Sequence, residues 1–413
     1  MINDYLLLNL QVCIVNVSLV VIDIQLRTLT PLYTGGVDGK MNRIHETGIL
    51  GSLRWWYEAI VRGLGGSACD PTADGRCPDN EGNYCDVCAV FGATGLQRAF
   101  RMEGSVWWNE EPQAKLTVKM RQNRRHRGWH LGRGFIGQAD LKFTPLRLPS
   151  GWTQDDLWQS LLLTWRLIDQ WGGLGPKTQQ GYGVVQAEFE SATLNVERAL
   201  QSFGRLRNRT NRRQVSHNNH WPSLDGFFFA KVRFDLGKQD PQGWLREKTT
   251  QLGNNEEIDW YLGRSNGRNS VLPLAPVVRY YLRQFIRQAR DGNNHWVFSH
   301  DVRHHLMGEQ GRKSLIHVSH AYKIENNRWE FRIWGWIPEQ LASGIDRLTV
   351  FQYLRRWLGV SQERIWQEAQ TNNGTLWHRP RMQNVQVCWV DGQSYDNAKE
   401  YLGALLQDCE DKA

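Results

Sequence analysis

Four cysteines, Cys69, Cys77, Cys85 and Cys88, crowd into twenty residues of a 413-residue chain. The gaps between them are seven, seven and two residues. The close pair Cys85-Asp86-Val87-Cys88 has the spacing that lets two thiolates grip one tetrahedral ion while backbone amides face the sulfurs. Four thiolates leave no open coordination position, so the expected occupant is a structural Zn²⁺ and not a catalytic metal. The plain alternative is a group of unpaired thiols, which oxidation would attack in the cell. Cys13, Cys388 and Cys409 are scattered, and with an odd total of seven the set reads as a metal site plus incidental thiols in a reducing compartment.

A second kind of chemistry is suggested by arginine. Lys119 to Phe135 holds Lys119, Arg121, Arg124, Arg125, Arg127 and Arg133 without an acid, with His126, Trp129, His130 and Phe135 interleaved. Guanidinium groups pair bidentately with phosphate and aromatic rings stack on unpaired bases, which together make a sequence-tolerant grip on single-stranded RNA. A further run carries Arg205, Arg207, Arg209, Arg212 and Arg213. Either run alone reads equally as a solvated charged face. Two of them near glycine-rich loops, in a chain of net charge +8, point to a polyanion partner. One such loop is Tyr33 to Lys40. The other, Trp171 to Gly183, is neither a P-loop nor a dinucleotide fingerprint, because Pro176 precedes Lys177-Thr178 and no G-x-G-x-x-G fits. It offers a lysine, Gln179, Gln180 and backbone amides, as a flexible loop suited to a polynucleotide backbone.

Candidates for catalysis are sparse. His45 stands beside Glu46, and His300, Asp301, His304 and His305 cluster. His300 and His304 share a helix face and a metal-binding spacing, but no Glu lies between them as a zincin requires, so surface or core histidines are the plainer reading. No paired carboxylates or Ser-His-Asp set are legible. The expectation is a binding protein with no catalytic residue, and not an enzyme.

The elements that must position these residues follow from periodicity. Leu6 to Ile24 is apolar but lacks a basic n-region and a small-residue cleavage site, so a strand over Val17–Arg27 is expected and cytoplasm is the default compartment. A helix from Thr47 to Leu64 buries Leu53, Trp56, Tyr57, Ile60 and Leu64, leaving Arg54, Glu58 and Arg62 as a solvated salt-bridge row. Strands over 98–108, 114–121 and 136–148 follow, then a helix over 155–170 opened by Thr153 and Asp156, and a strand over 184–189. This succession fits a ferredoxin-like α+β unit, residues 1–195, with a zinc-binding insertion at about 66–92. Residues 196–225 read as a linker. Residues 226–413 read as a second unit with a strand over 227–236, a helix over 276–290, strands over 312–324 and 328–337, helices over 345–358 and 361–370, a strand over 385–390 and a helix over 395–406. Val278–Arg287 repeats the pattern of Leu53–Arg62 at an offset of 225, and Met307-Gly308 follows as Phe91-Gly92 does.

With these residues in view, the chain resembles the RAMP proteins of CRISPR systems, and more narrowly the Cmr-one subunits of type III-B (Cmr) effector complexes. The resemblance rests on Leu29-Thr30-Pro31-Leu32-Tyr33-Thr34-Gly35-Gly36, Glu46 to Trp56, Phe91-Gly92-Ala93-Thr94-Gly95 and the loop from Gly172 to Gly183. It is closest over residues 24–190. Over the second unit, Gly311 to Ser314 and Ile333 to Pro338 are the suggestive pieces, and residues 1–16 have no counterpart. The resemblance implies two tandem ferredoxin-like (RRM-like) RAMP folds. It also implies a place at the head of a ribonucleoprotein, near the crRNA 3′ end, beside other Cmr subunits, where target RNA is engaged for antiviral defence. Cleavage would belong to another subunit. Carried over, the RNA contacts are Gly35, Gly36, Lys40, Arg54, Lys177, Gln179 and Gln180; the arginine runs come from composition. The rival readings are a His45-dependent RAMP endoribonuclease that processes CRISPR repeat RNA, and a stand-alone RNA-binding protein.

Overall fold

The computed structural model describes residues 20–36, 41, 43–105, 116–120, 128–132, 134–190, 192–215, 221–238, 240–264, 270–309, 312–325, 328–359 and 382–407. The first half runs β1 (Ile22–Thr28), α1 (Glu46–Gly63), α2 (Asp86–Phe91), β2 (Phe100–Ser105), β3 (Leu116–Lys119), β4 (Trp129–Leu131), β5 (Gln138–Pro145), α3 (Gln154–Gln170), β6 (Val185–Phe189) and α4 (Val196–Arg207). Alternation along β1 puts Ile22, Ile24 and Leu26 on a buried face, and along β5 it does the same for Ala139, Leu141 and Phe143. These strands form an antiparallel sheet in the order β2-β5-β1-β6. The expected Thr153–Asp156 capping box opens α3.

The second half runs β7 (Phe227–Asp235), α5 (Pro241–Lys248), β8 (Gln251–Leu252), α6 (Asn255–Tyr261), β9 (Val271–Leu272), α7 (Ala275–Gln288), α8 (His300–Met307), β10 (Ile316–Val318), β11 (Ala321–Glu325), β12 (Arg328–Trp336), α9 (Arg347–Leu358), β13 (Gln383–Asp391) and a helix over Ala398–Leu405. Its sheet order is β13-β7-β12-β11-β9, with β10 also on β12. When the strands of each half are numbered around their two long helices, both sheets run fourth, first, third, second. The stretch from α5 to β9 adds elements to the interval between the expected strand over 227–236 and helix over 276–290. The expected helix over 361–370 lies outside the described residues.

The two sheets and their helices stack in four layers. Phe143 of the first sheet meets Trp165 of α3, with ring centroids 6.2 Å apart. On the far side of the same helices, Trp56 of α1 lies 5.5 Å from Phe227 and 6.1 Å from Phe229, and Trp171 lies 6.0 Å from Phe229. The alternate residues of β7 turn to the other helices, where Phe228 meets Phe351 of α9 at 5.5 Å. Both α1 and α3 are therefore covered on two sides. This is why the expected solvated row on α1 is instead largely inside: Glu58 and Arg62 are buried, bonded to each other at 3.2 Å, and Arg62 donates to Pro222 O.

The charged side chains where the second sheet meets α3 are partnered. Glu330 accepts from Arg233 Nε at 2.8 Å and from Tyr322, while Arg332 donates to Tyr322 Oη at 2.9 Å and to the carbonyls of Ile168 and Gly172. Lys231 donates to Gln170 Oε1 at 3.0 Å, and burial brings it down to about 8. Residues 196–225 are no bare linker either. Their helix α4 packs on α3, where Ser202 Oγ and Arg205 both reach the buried Asp156.

Candidate metal centre and basic loops

The four cysteines converge although three separate backbone segments deliver them. Cys85 is the N-cap of α2, so its sulfur accepts from the amide of Cys88 one turn on, at 3.4 Å. Two loops bring Cys69 and Cys77, whose sulfur accepts from Cys85 N at 3.2 Å. All four are buried and free, and their sulfurs lie within 4.8 Å of one another, with Cys69 and Cys88 at 3.6 Å. Sulfurs about 2.3 Å from a tetrahedral zinc are about 3.8 Å apart, so the cluster has the size and donor set of such a site. Without a cation, hydrogen bonding from Cys69 and then Cys77 pushes the Cys85 and Cys88 thiols up. A divalent ion is the charge that lets all four bind as thiolates. Among the described residues this is the one group of three or more metal-ligating side chains gathered in this way. Cys388, by contrast, is disulfide-bonded and not an incidental thiol.

Arginines brace the cluster from both sides. Arg54, on α1, donates to Glu58 at 2.9 Å, to Gly92 O at 3.3 Å and to Cys88 Sγ at 3.3 Å. It thus fastens the cysteine helix and the glycine turn after it, and its side chain is only 18% exposed. From the other side comes the second arginine run. Arg212 Nε bonds both carboxylate oxygens of the buried Asp86, at 2.8 and 2.9 Å, and Asp86 also accepts from Ser67 N at 2.7 Å. Arg209 donates to Tyr84 O, Arg213 to Arg76 O with Cys77 Sγ at 3.8 Å, and Arg207 to Leu64 O. Composition alone cannot separate an arginine run that grips phosphate from one that satisfies carbonyls and a buried carboxylate. This run does the second.

The two glycine-rich loops meet at one end of the first sheet. Gly183 N donates to Pro31 O at 2.8 Å, Leu32 and Phe135 exchange backbone bonds, and Gly175 N donates to Ser52 Oγ. The loop expected to be flexible is braced. Gly183, at φ +86°, sits where a Cβ would come 2.0 Å from Leu174 O, and Gly181 at φ +100° lies against the His320 ring. Thr178 Oγ1 is 2.8 Å from His317 Nδ1, and Gln179 reaches Ser314 O. Lys177 is half-buried, with Nζ 3.5 Å above the Tyr33 ring and 6.0 Å from that of Tyr182. Burial alone lowers its pKa, with no carboxylate opposing that. Gly35, Gly36 and Gln180 are half-buried on the same rim, and Lys40 lies outside the described residues.

Of the basic stretch 119–135, Lys119 ends β3 and Trp129–Leu131 form β4, which pairs with β3, itself paired with β8 in a three-stranded sheet. Trp129 packs under Arg279 at 5.6 Å and is therefore partly spoken for as a stacking surface. Arg121, Arg124, Arg125, Arg127 and Arg133 lie outside the described residues. His45 caps α1 by position without a side-chain cap bond. His300 and His304 do share a face of α8, with Nε2 atoms 3.1 Å apart.

Residues 25–186 match the family model of the RAMP superfamily, which bears out the resemblance over the first unit, from β1 through both glycine-rich loops. Comparison with curated protein sequences gave no match. Among solved structures, the chain is similar to Cmr1 from Pyrococcus furiosus in its apo form, at 12% identity over 82% of this chain and 97% of that one, with a TM-score of 0.36. It is also similar to a chain of the type III-B Cmr-beta complex bound to cognate target RNA and AMPPnP, at 10% identity over 82% and 98%, with a TM-score of 0.38. A chain of the same complex bound to cognate target RNA alone gives 12% identity over 77% and 94%, with a TM-score of 0.34.

Proposed function

We propose that this chain is a RAMP subunit of a type III-B CRISPR (Cmr) ribonucleoprotein, built of two tandem ferredoxin-like units, which binds crRNA and target RNA near the crRNA 3′ end without cutting them. The observation that carries the reading is the RAMP match over residues 25–186, which takes in both glycine-rich loops. Those loops lie together at one end of the first sheet, and in the second of them Lys177 is held over aromatic rings. The repeated sheet order supports the tandem reading. The outer face of the first sheet supports a loop-based grip: it presents Gln25, Gln138, Asp140, Lys142, Arg101 and Glu103, with no aromatic ring among them for base stacking. The described residues include no helix long and apolar enough to cross a membrane. The four cysteines hold a structural Zn²⁺ that staples the α2 turn onto α1, and the other Cmr subunits are the partners.

RNA binding through the basic stretch 119–135 predicts a linear fall of log affinity with log salt, about 0.7 per phosphate neutralised on a single strand. Replacing Arg124, Arg125 and Arg127 with Ala should flatten that slope, and Lys177→Ala should reduce it by about 0.7. Filter binding of labelled single-stranded RNA across a salt series measures both. An unchanged slope in the triple variant would reduce this arginine run to a solvated face. The same RNA, incubated without metal, tests the enzyme reading: specific cuts lost in His45→Ala would overturn the binding-only role. Tight guide binding without other subunits would favour the stand-alone reading.

A further inference from the structure

The zinc-bearing helix has a counterpart in the second unit. Both α2 and α8 end on a glycine of unusual conformation, Gly92 at φ 79°, ψ 164° and Gly308 at φ 71°, ψ 157°. In each unit an arginine of the preceding long helix clamps that glycine's carbonyl: Arg54 to Gly92 O at 3.3 Å, and Arg283 to Gly308 O at 2.5 Å. Cys88 stands four residues before Gly92, and His304 four residues before Gly308. The position that carries a metal-ligating sulfur in one unit thus carries an imidazole in the other.

That imidazole has a partner. His300, one turn earlier, places Nε2 3.1 Å from Nε2 of His304, with ring centroids 4.2 Å apart. Two nitrogens each about 2.0 to 2.1 Å from one ion are about 3.0 to 3.4 Å apart, so the pair is already at chelating distance. On the far side of the ring, His304 Nδ1 lies 3.1 Å from Glu309 Oε2. The two are close without hydrogen-bond alignment, so the carboxylate acts on the ring by its charge, which favours the proton on Nδ1 and leaves the Nε2 lone pair for an ion. His300 is largely exposed, at 72%, and His304 less so, at 24%, so an ion would reach the pair from solvent.

We propose that His300 and His304 form a second metal site, for a late first-row divalent cation such as Zn²⁺ or Co²⁺, with Glu309 positioning the His304 ring. Two protein ligands make it a weaker, more open site than the four-cysteine cluster, with water in the remaining positions. The site is independent of RNA binding. The test is metal content of the purified full chain after equilibrium dialysis against micromolar Zn²⁺, read by mass spectrometry, with circular dichroism as a control for folding. Wild type should hold two ions, and His300→Ala and His304→Ala one each. Glu309→Gln should retain the second ion at about tenfold weaker affinity. Loading with Co²⁺ separates the sites, because thiolate-to-metal charge transfer marks the cysteine cluster and is absent from a site of imidazole and water. A wild-type chain that saturates at one ion, or a second ion that survives the double alanine variant, would overturn the proposal.

Discussion

Single residues here do two jobs that sequence spacing presents as one. The cysteine spacing was legible because ligand geometry is local: a two-residue gap and an N-cap sulfur need no distant partner. Cys88→Ser removes one of four thiolates and leaves Arg54 facing a neutral hydroxyl. Zinc content should fall from one tightly held ion at this cluster towards none, and because metal binding is coupled to folding, several kcal/mol of stability should go with it. Chelation of the wild type should mimic the variant in urea denaturation. The roles of Arg54 and Arg212 were not legible, since an arginine's target is a matter of tertiary placement. Arg212 and Asp86 have side chains only 8% and 2% exposed. Arg212→Ala strands a buried carboxylate and should cost about 3 kcal/mol. Adding Asp86→Asn to it should cost less than the sum of the two single variants, which a double-mutant cycle measures directly.

At the scale of elements, strands and helices with clean periodicity fell where the sequence placed them, β1, α1, α3, β7, α7 and α9 among them. What escaped were pieces whose stability comes from neighbours: the short strands β4, β8 and β9, and α4, whose polar exterior resembled a linker. The glycine loop is the instructive case. Its composition reads as freedom, yet the second unit's histidines pin it. His317 faces Thr178, and His320 N donates to Gly181 O at 2.9 Å. Burial, aided at His317 by Arg279, holds both imidazoles neutral down to about 3. The unfolded chain protonates them near 6.5, so between 6.5 and 3 it binds more protons than the folded one, and stability falls as pH falls through that window. At pH 5 the loss should be about 2 kcal/mol for each histidine. Urea midpoints at pH 7 and pH 5 should separate further in wild type than in His317→Gln, and equal separations would show that His317 is not the group responsible.

At the scale of the whole molecule, the decisive feature is that the second sheet covers the helices of the first unit. Sequence reasoning expected two units joined by a linker, because an internal repeat says nothing about how its copies dock. The face of β7 and β12 that meets α1 and α3 carries Phe227, Phe229, Trp334 and Trp336, all buried, alongside Lys231, Glu330 and Arg332 with their partners. Burial of each large apolar side chain contributes about 1.5 to 3 kcal/mol, so exposing even two of them would take a large share of a typical domain's net stability. Neither half can lose the other without exposing Trp56 and Trp171 or stranding charges. The two units should therefore melt as one. Calorimetry of the full chain should give a single transition whose van't Hoff and calorimetric enthalpies agree, and Phe229→Ala should lower that one midpoint instead of splitting it. Two separated transitions would mean that the units are stable alone and merely touch. A single one makes the four-cysteine cluster, the braced glycine loops and the second sheet one cooperative unit, so that destabilising any of them lowers the same midpoint.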